Sequence, residues 1–168
     1  MDAHLNSTVL RLLDTAGWRA DRNVSVSGSV PLDHPAWRVL SSFGGLRIRP
    51  EEDSGIDCAA SDIDFNSPAA PSEVTRWAEL LRSTLVPIAE VHNYHGLLCI
   101  ASDGTCYGSS YIHDAFYLEG ERFEIALERI LLGKRARPML RPEQSEVMLY
   151  GQTFLRGSAE VFVWQSQA

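Results

Sequence analysis

The residues best suited to chemistry are His92, His95, Cys99 and Cys106, because imidazole and thiolate are the donors zinc prefers and His92-x-x-His95 has a workable ligand spacing. A closed zinc site needs four converging donors and a supporting outer shell. Cys99 falls inside one apolar run and Cys106 in the next, beyond a tight turn. At least one thiol is therefore expected to face an apolar core, where free cysteine is common. The expectation is no bound metal, and a small metal-dependent hydrolase using His92 and His95 is kept as a third reading. Nucleophilic chemistry has less to work with. The chain holds no Gly-x-Ser-x-Gly elbow, no phosphate-cradling Gly-x-x-x-x-Gly-Lys, and no His-x-Glu paired with Pro-Cys-x-x-Cys. Nothing marks two carboxylates as an acid–base pair. No catalytic residue and no cofactor are expected.

Binding chemistry is better represented. Glu51, Glu52, Asp53, Asp57, Asp62 and Asp64 fall within fourteen residues, enough to present carboxylates to a basic cleft where phosphates would otherwise sit. A solvated loop is the alternative. Trp37 lies one position off the apolar stripe of its helix, so it either widens the buried face or stands out as a binding anchor. Tyr111, His113, Phe116 and Tyr117 show no clear periodicity and either rim a cleft beside a sheet or form a packed crossover. The residues expected to meet a partner are Glu51, Glu52, Asp53, Asp57, Trp37, Tyr111 and Tyr117.

These side chains must be positioned by regular elements, and the pattern supplies them. Asn6 or Ser7 can cap a helix whose Val9, Leu12, Leu13 and Ala16 share one face, with Gly17 as a left-handed stop. Asp33 as cap and Pro35 in the first turn introduce a second helix carrying Ala36, Val39, Leu40 and Phe43, ended by Gly44 and Gly45. Leu46-Arg47-Ile48-Arg49 and Asp62-Ile63-Asp64-Phe65 alternate as half-buried strands. Ser72 is expected to cap a third helix running through Val74, Trp77, Ala78, Leu81 and Leu85 until Pro87 stops it. Residues 88–91, 97–101 and 105–108 read as a meander joined by Asn93-Tyr94-His95-Gly96 and Ser102-Asp103-Gly104. Phe123, Ala126, Leu127, Ile130 and Leu131 define a fourth helix closed by Gly133. Residues 134–146 read as a loop leading into a final hairpin between Val147 and Trp164. The expected fold is α+β: one domain over residues 1–168, with an antiparallel central sheet of about five to six strands flanked by about four helices.

Bulk properties narrow the partners. At 168 residues and 45% hydrophobic, the chain can bury one sizeable core. A net charge of −7 disfavours nucleic acid and anionic membranes and speeds encounter with a basic partner. Of the basic residues only Lys134 is lysine. No apolar run is long enough to span a membrane and no leader pattern opens the chain, so a cytoplasmic location is expected. Three widely spaced cysteines suit reduced thiols.

The ordered set of pieces resembles the SUKH superfamily, most closely its third subfamily. Ala16-Gly17-Trp18 with Asp21-Arg22 is similar to that family's start, and Ala36 to Leu40 leading into Phe43-Gly44-Gly45-Leu46 to its helix-to-strand signature. Pro87-Ile88-Ala89-Glu90 followed by Gly96, Ile100, Asp103-Gly104 and Tyr107 resembles its central hairpins, and residues 123–133 its closing helix. The likeness covers residues 9–133, about three quarters of the chain. Residues 138–168 form a strand extension outside it, and Ala89 stands where the family more often has glycine. The resemblance implies a bacterial immunity protein that binds and neutralises a cognate polymorphic toxin, often a nuclease or nucleic-acid deaminase. It brings no catalytic residue and no cofactor. A non-catalytic regulatory or scaffold module of the same fold is the second reading.

Overall fold

A computed structural model describes residues 5–52 and 54–164; Asp53, one of the expected partner residues, lies outside the described residues. The first helix, α1 (Ser7–Thr15), starts where Asn6 Oδ1 accepts the Thr8 N–H at 2.8 Å and buries Val9, Leu12 and Leu13. Gly17 then takes φ +84°. In α2 (Pro35–Phe43) the cap is His34 and not Asp33: its Nδ1 accepts the Ala36 N–H at 3.2 Å. That role leaves Nε2 protonated, and it donates to the Thr84 carbonyl at 3.2 Å. The imidazole therefore joins the helix start to the sheet.

Strands β1 (Arg47–Ile48) and β2 (Ile63–Asp64) follow, then α3 (Ser72–Leu81). Ser72 does not cap α3; Pro71 occupies the cap position with no side-chain bond, and Glu73 in the first turn complements the helix dipole. The helix ends earlier than its apolar spacing predicts, because Arg82 turns left-handed at φ +49°. Leu85 and Pro87 belong instead to β3 (Leu85–Val91), where the proline sits beside a bulge in the pairing with β4 (Gly96–Ala101). Ala89 is fully buried in this strand and not in a turn. Next come β5 (Cys106–Ser110), β6 (Phe116–Gly120), α4 (Phe123–Leu131), β7 (Arg137–Met139), and a hairpin of β8 (Glu146–Leu149) with β9 (Gln152–Leu155).

The sheet thus holds seven antiparallel strands lying in chain order, with β8–β9 as a separate ribbon. It exceeds the expected five to six because β6 and β7 arise in segments that carry no alternation. Both faces of its centre are apolar. Ile48, Ile63, Val91, Leu98, Ile100 and Cys106 point to the face covered by α1, α2 and α4. Leu97, Cys99, Ala101, Tyr107, Phe116 and Met139 point to the other, under Val74 and Trp77 of α3 and the closing segment that ends in Phe162 and Trp164.

The residues that carry the family likeness meet in the first of these cores. Phe43 lies 5.8 Å from the Trp18 ring, 5.2 Å from Phe65 and 5.0 Å from Phe123. Arg22 donates to the carbonyls of Ser42 and Gly44, securing the end of α2. Gly45, at φ +78°, turns the chain so that its N–H reaches the Phe65 carbonyl.

Trp77 organises the opposite core. It is fully buried, stacked on Phe116 at 4.6 Å and edge-on to Trp164 at 5.5 Å, and its indole N–H donates to Glu73. Trp77→Ala is expected to cost about 3–5 kcal/mol in urea unfolding; a loss under about 1 kcal/mol would mean that this face of the sheet is not held by the indole.

Candidate protein-binding surface

Because the strands alternate in direction, three connections emerge at the same end of the sheet: the loop after β1, the turn between β3 and β4, and the loop between β5 and β6. Two of them carry residues expected to meet a partner. They leave from opposite faces, however, and form two separate patches.

On the face of α4, the acidic loop is clipped to that helix's C-terminus. The N–H groups of Ile56, Asp57 and Cys58 donate to the carbonyls of Leu132 and Gly133 at 2.8–2.9 Å, satisfying acceptors the helix end leaves open. This requires glycine on both sides: a Cβ on Gly55 would lie 2.5 Å from the Gly133 Cα. With its backbone held, the loop turns Glu51, Glu52 and Asp57 into solvent, and Ile56 is 65% exposed. A cavity of about 360 Å³ opens beneath, floored by Leu12, Ala60 and Leu131 and edged by Glu51 and Glu52.

On the other face, the uncovered corner over β1–β3 is polar. Arg47 Nη2 donates to Asp62 at 2.8 Å while its guanidinium lies 5.0 Å from the centre of the Tyr94 ring. The Tyr94 hydroxyl donates to Asp64, and Asn66 donates to Glu90. Burial opposes ionisation of Asp62, but the hydrogen bonds from Arg47 and the Asn93 N–H outweigh it and hold its carboxyl below the usual range. Burial lowers the His92 pKa against the pull of Asp62. Asp64 and Glu90 are direct cross-strand partners, a like-charge pairing that opposes sheet formation. His92, Asn93 and Tyr94 all have positive φ, a conformation that asparagine tolerates and that is unfavourable for His92 and Tyr94. The Asn93–Asp62 and Tyr94–Asp64 bonds retain it.

Tyr111 extends this corner. Its N–H donates to the His95 carbonyl, and Ser110 Oγ accepts from the N–H groups of Ile112 and His113, so the loop start is fixed. Tyr111 is 45% exposed, Ile112 62% and Tyr94 44%. The far side of the loop is held by Arg141, itself buried, which bonds Asp114, Glu73 of α3 and Glu143. These bonds raise the Arg141 pKa and lower those of Asp114 and Glu143.

The remaining expected residues do not join either patch. Trp37 packs half-buried against the helix-covered core, in the first turn of α2, whose cap bonds Thr84 at the opposite end of the sheet. Tyr117, expected at the partner surface, is 3% exposed; its ring fills the space over Gly108, where a Cβ would lie 1.9 Å away. It is a core residue. The metal set does not converge either. Cys99 pairs with Tyr107 and Cys106 with Ile100, so the two thiols face opposite cores. Burial pushes both thiols far up. Tyr94, Glu90 and Ile112 contribute to the observed surface, and buried Arg141 supports it, without a sequence signal beyond turn chemistry at 93–96.

An α+β domain with a seven-stranded sheet and its polar chemistry gathered at one sheet end is thus defined. It is also assignable by descent: the model of the SUKH-3 immunity protein family matches residues 5–133, and the chain belongs to that family. No curated protein and no solved structure matches it. Residues beyond 133 add β7, the β8–β9 ribbon and Arg141 to the matched part. No helix among the described residues is long and apolar enough to cross a membrane.

One buried acid lies below the loop of the first patch. Glu119 is 3% exposed, one carboxylate oxygen has no partner among the described residues, and Arg129 bonds the backbone carbonyls of Leu118 and Glu119 and not the carboxyl. Burial raises its pKa to about 8, with Arg129 pulling the other way. The folded chain therefore keeps a proton that the unfolded chain releases near 4.5. Stability present at low pH is lost as pH rises through that window. Urea unfolding from pH 5 to 9 should show a decline that Glu119→Gln flattens; parallel profiles for the two proteins would place the carboxyl in a solvated setting.

Proposed function

We propose that this chain is a bacterial immunity protein that binds a cognate polymorphic toxin domain one to one and blocks it, acting in the cytoplasm. The family match over residues 5–133 carries this reading. Binding alone suffices for neutralisation, so the mechanism needs no catalytic residue and no cofactor. A nuclease or nucleic-acid deaminase toxin fits the charge best. Such an enzyme presents a basic cleft to phosphates, and an acidic protein of net charge −7 is drawn to it and competes for the same cations.

The acidic loop suits the role physically. Its backbone at Ile56, Asp57 and Cys58 is fixed by α4, so that stretch of the loop loses little backbone freedom when it meets the toxin. Residues fixed before binding favour tight complexes.

The direct test is co-expression with the toxic C-terminal domain of the cognate polymorphic toxin: growth should be restored, and the purified pair should elute as a one-to-one complex. Continued toxicity with both proteins present in soluble form would reject the reading. Neutralising the loop as Glu51→Gln, Glu52→Gln and Asp57→Asn together should slow association about tenfold at low salt and less in 0.5 M salt; an unchanged rate at both salt levels would remove the loop from the interface.

A further inference from the structure

We propose that the corner formed by Tyr94 and Tyr111 beside Glu90 docks an arginine-bearing segment of the toxin, an inference that rests on the immunity reading. The corner sets exposed aromatic side chains beside its charged groups. Tyr94, Tyr111 and Ile112 are each 44–62% exposed.

The occupant follows from charge. Arg47 shows which cation the corner accommodates: its guanidinium lies over the Tyr94 ring and bonds a carboxylate. Glu90 and Tyr111 offer the same two kinds of partner, a phenol ring and a carboxylate. Burial first, then the Glu90 charge, raises the Tyr111 pKa, whereas that of Tyr94 is raised chiefly by its hydrogen bond to Asp64. Among the described residues Glu90 makes no ion pair, its one bond coming from the Asn66 amide. It also faces Asp64 directly across the strand pair. Against Asp62, Asp64 and Glu90 the corner sets one arginine, already bonded to Asp62. A second guanidinium would stack on Tyr111, bond Glu90 and relieve the like-charge pair. Lysine is the poorer fit, because its ammonium is more strongly hydrated and has no plane to stack.

The corner is also built in advance. Asp62 and Asp64 hold the β3–β4 turn, and Ser110 and Arg141 hold the two sides of the β5–β6 loop. Arg141 lies outside the family-matched residues, so the chain's own C-terminal addition steadies this loop.

The test is an NMR titration of the full chain with the peptide acetyl-Arg-Gly-Arg-Gly-Arg-amide and, separately, its lysine counterpart. Saturable shifts are expected at residues 62–66, 90–95 and 109–113, with the arginine peptide binding about threefold to tenfold tighter. Tyr111→Ala should remove that preference, and Glu90→Gln, which keeps the Asn66 bond and the fold, should weaken both peptides. Equal affinity for the two peptides, or shifts centred on residues 51–57 or 146–155, would overturn the proposal. The readout uses no toxin. Failed rescue in co-expression would therefore reject the immunity reading, whereas failed peptide discrimination with rescue intact would reject this docking corner alone.

Discussion

A sheet that is apolar on both faces at its centre must be covered twice, and β4, buried along its whole length, shows how far that requirement reaches. Three helices close one face around Phe43. A single helix, α3, covers part of the other, with Phe162 and Trp164 completing the cover toward β7. The short cover ends over β1–β3, and there the outward residues change from Leu97 and Phe116 to Arg47, Asp64 and Glu90. The corner proposed for docking lies where the second layer stops.

The same constraint explains the C-terminal residues. Without β7, the β6 strand would be an open edge carrying Phe116 and Leu118. Pro138 is tolerated in β7 because this is the edge strand, and its carbonyl still accepts the Phe162 N–H. Arg141 then connects this addition to α3 and to the loop bearing Tyr111 and Ile112. A segment outside the family match thus stabilises the sheet and steadies the β5–β6 loop by one set of contacts.

Much of this was legible from residue order. Helices α1, α2 and α4 follow from their apolar spacing and from Asn6, Pro35, Gly17 and Gly133, since periodicity and caps act locally. The meander follows from its turns. Strand β6 was hidden because Phe116 to Gly120 is buried on both sides and so does not alternate, and β7 because it spans three residues including a proline. The helix α3 reads too long since Leu85 continues its spacing, and an arginine gives no warning of a left-handed stop. For the surface, the acidic loop and Tyr111 could be named in advance, whereas Tyr117 could not be told from an exposed tyrosine until Gly108 was found opposite it. Glu90 and Arg141 matter through strand register and long-range pairing, which no local pattern encodes.

In the proposed reading, recognition happens at the end of the sheet where the β1–β2, β3–β4 and β5–β6 connections emerge. Hydrogen exchange of the full chain, free and in complex with the toxin domain, tests it most directly. Slowed exchange is expected at residues 51–57, 62–66, 90–95 and 109–114, with the β8–β9 ribbon and the first turn of α2 unchanged. Protection confined to the ribbon or to the Trp37 end of α2 would contradict it.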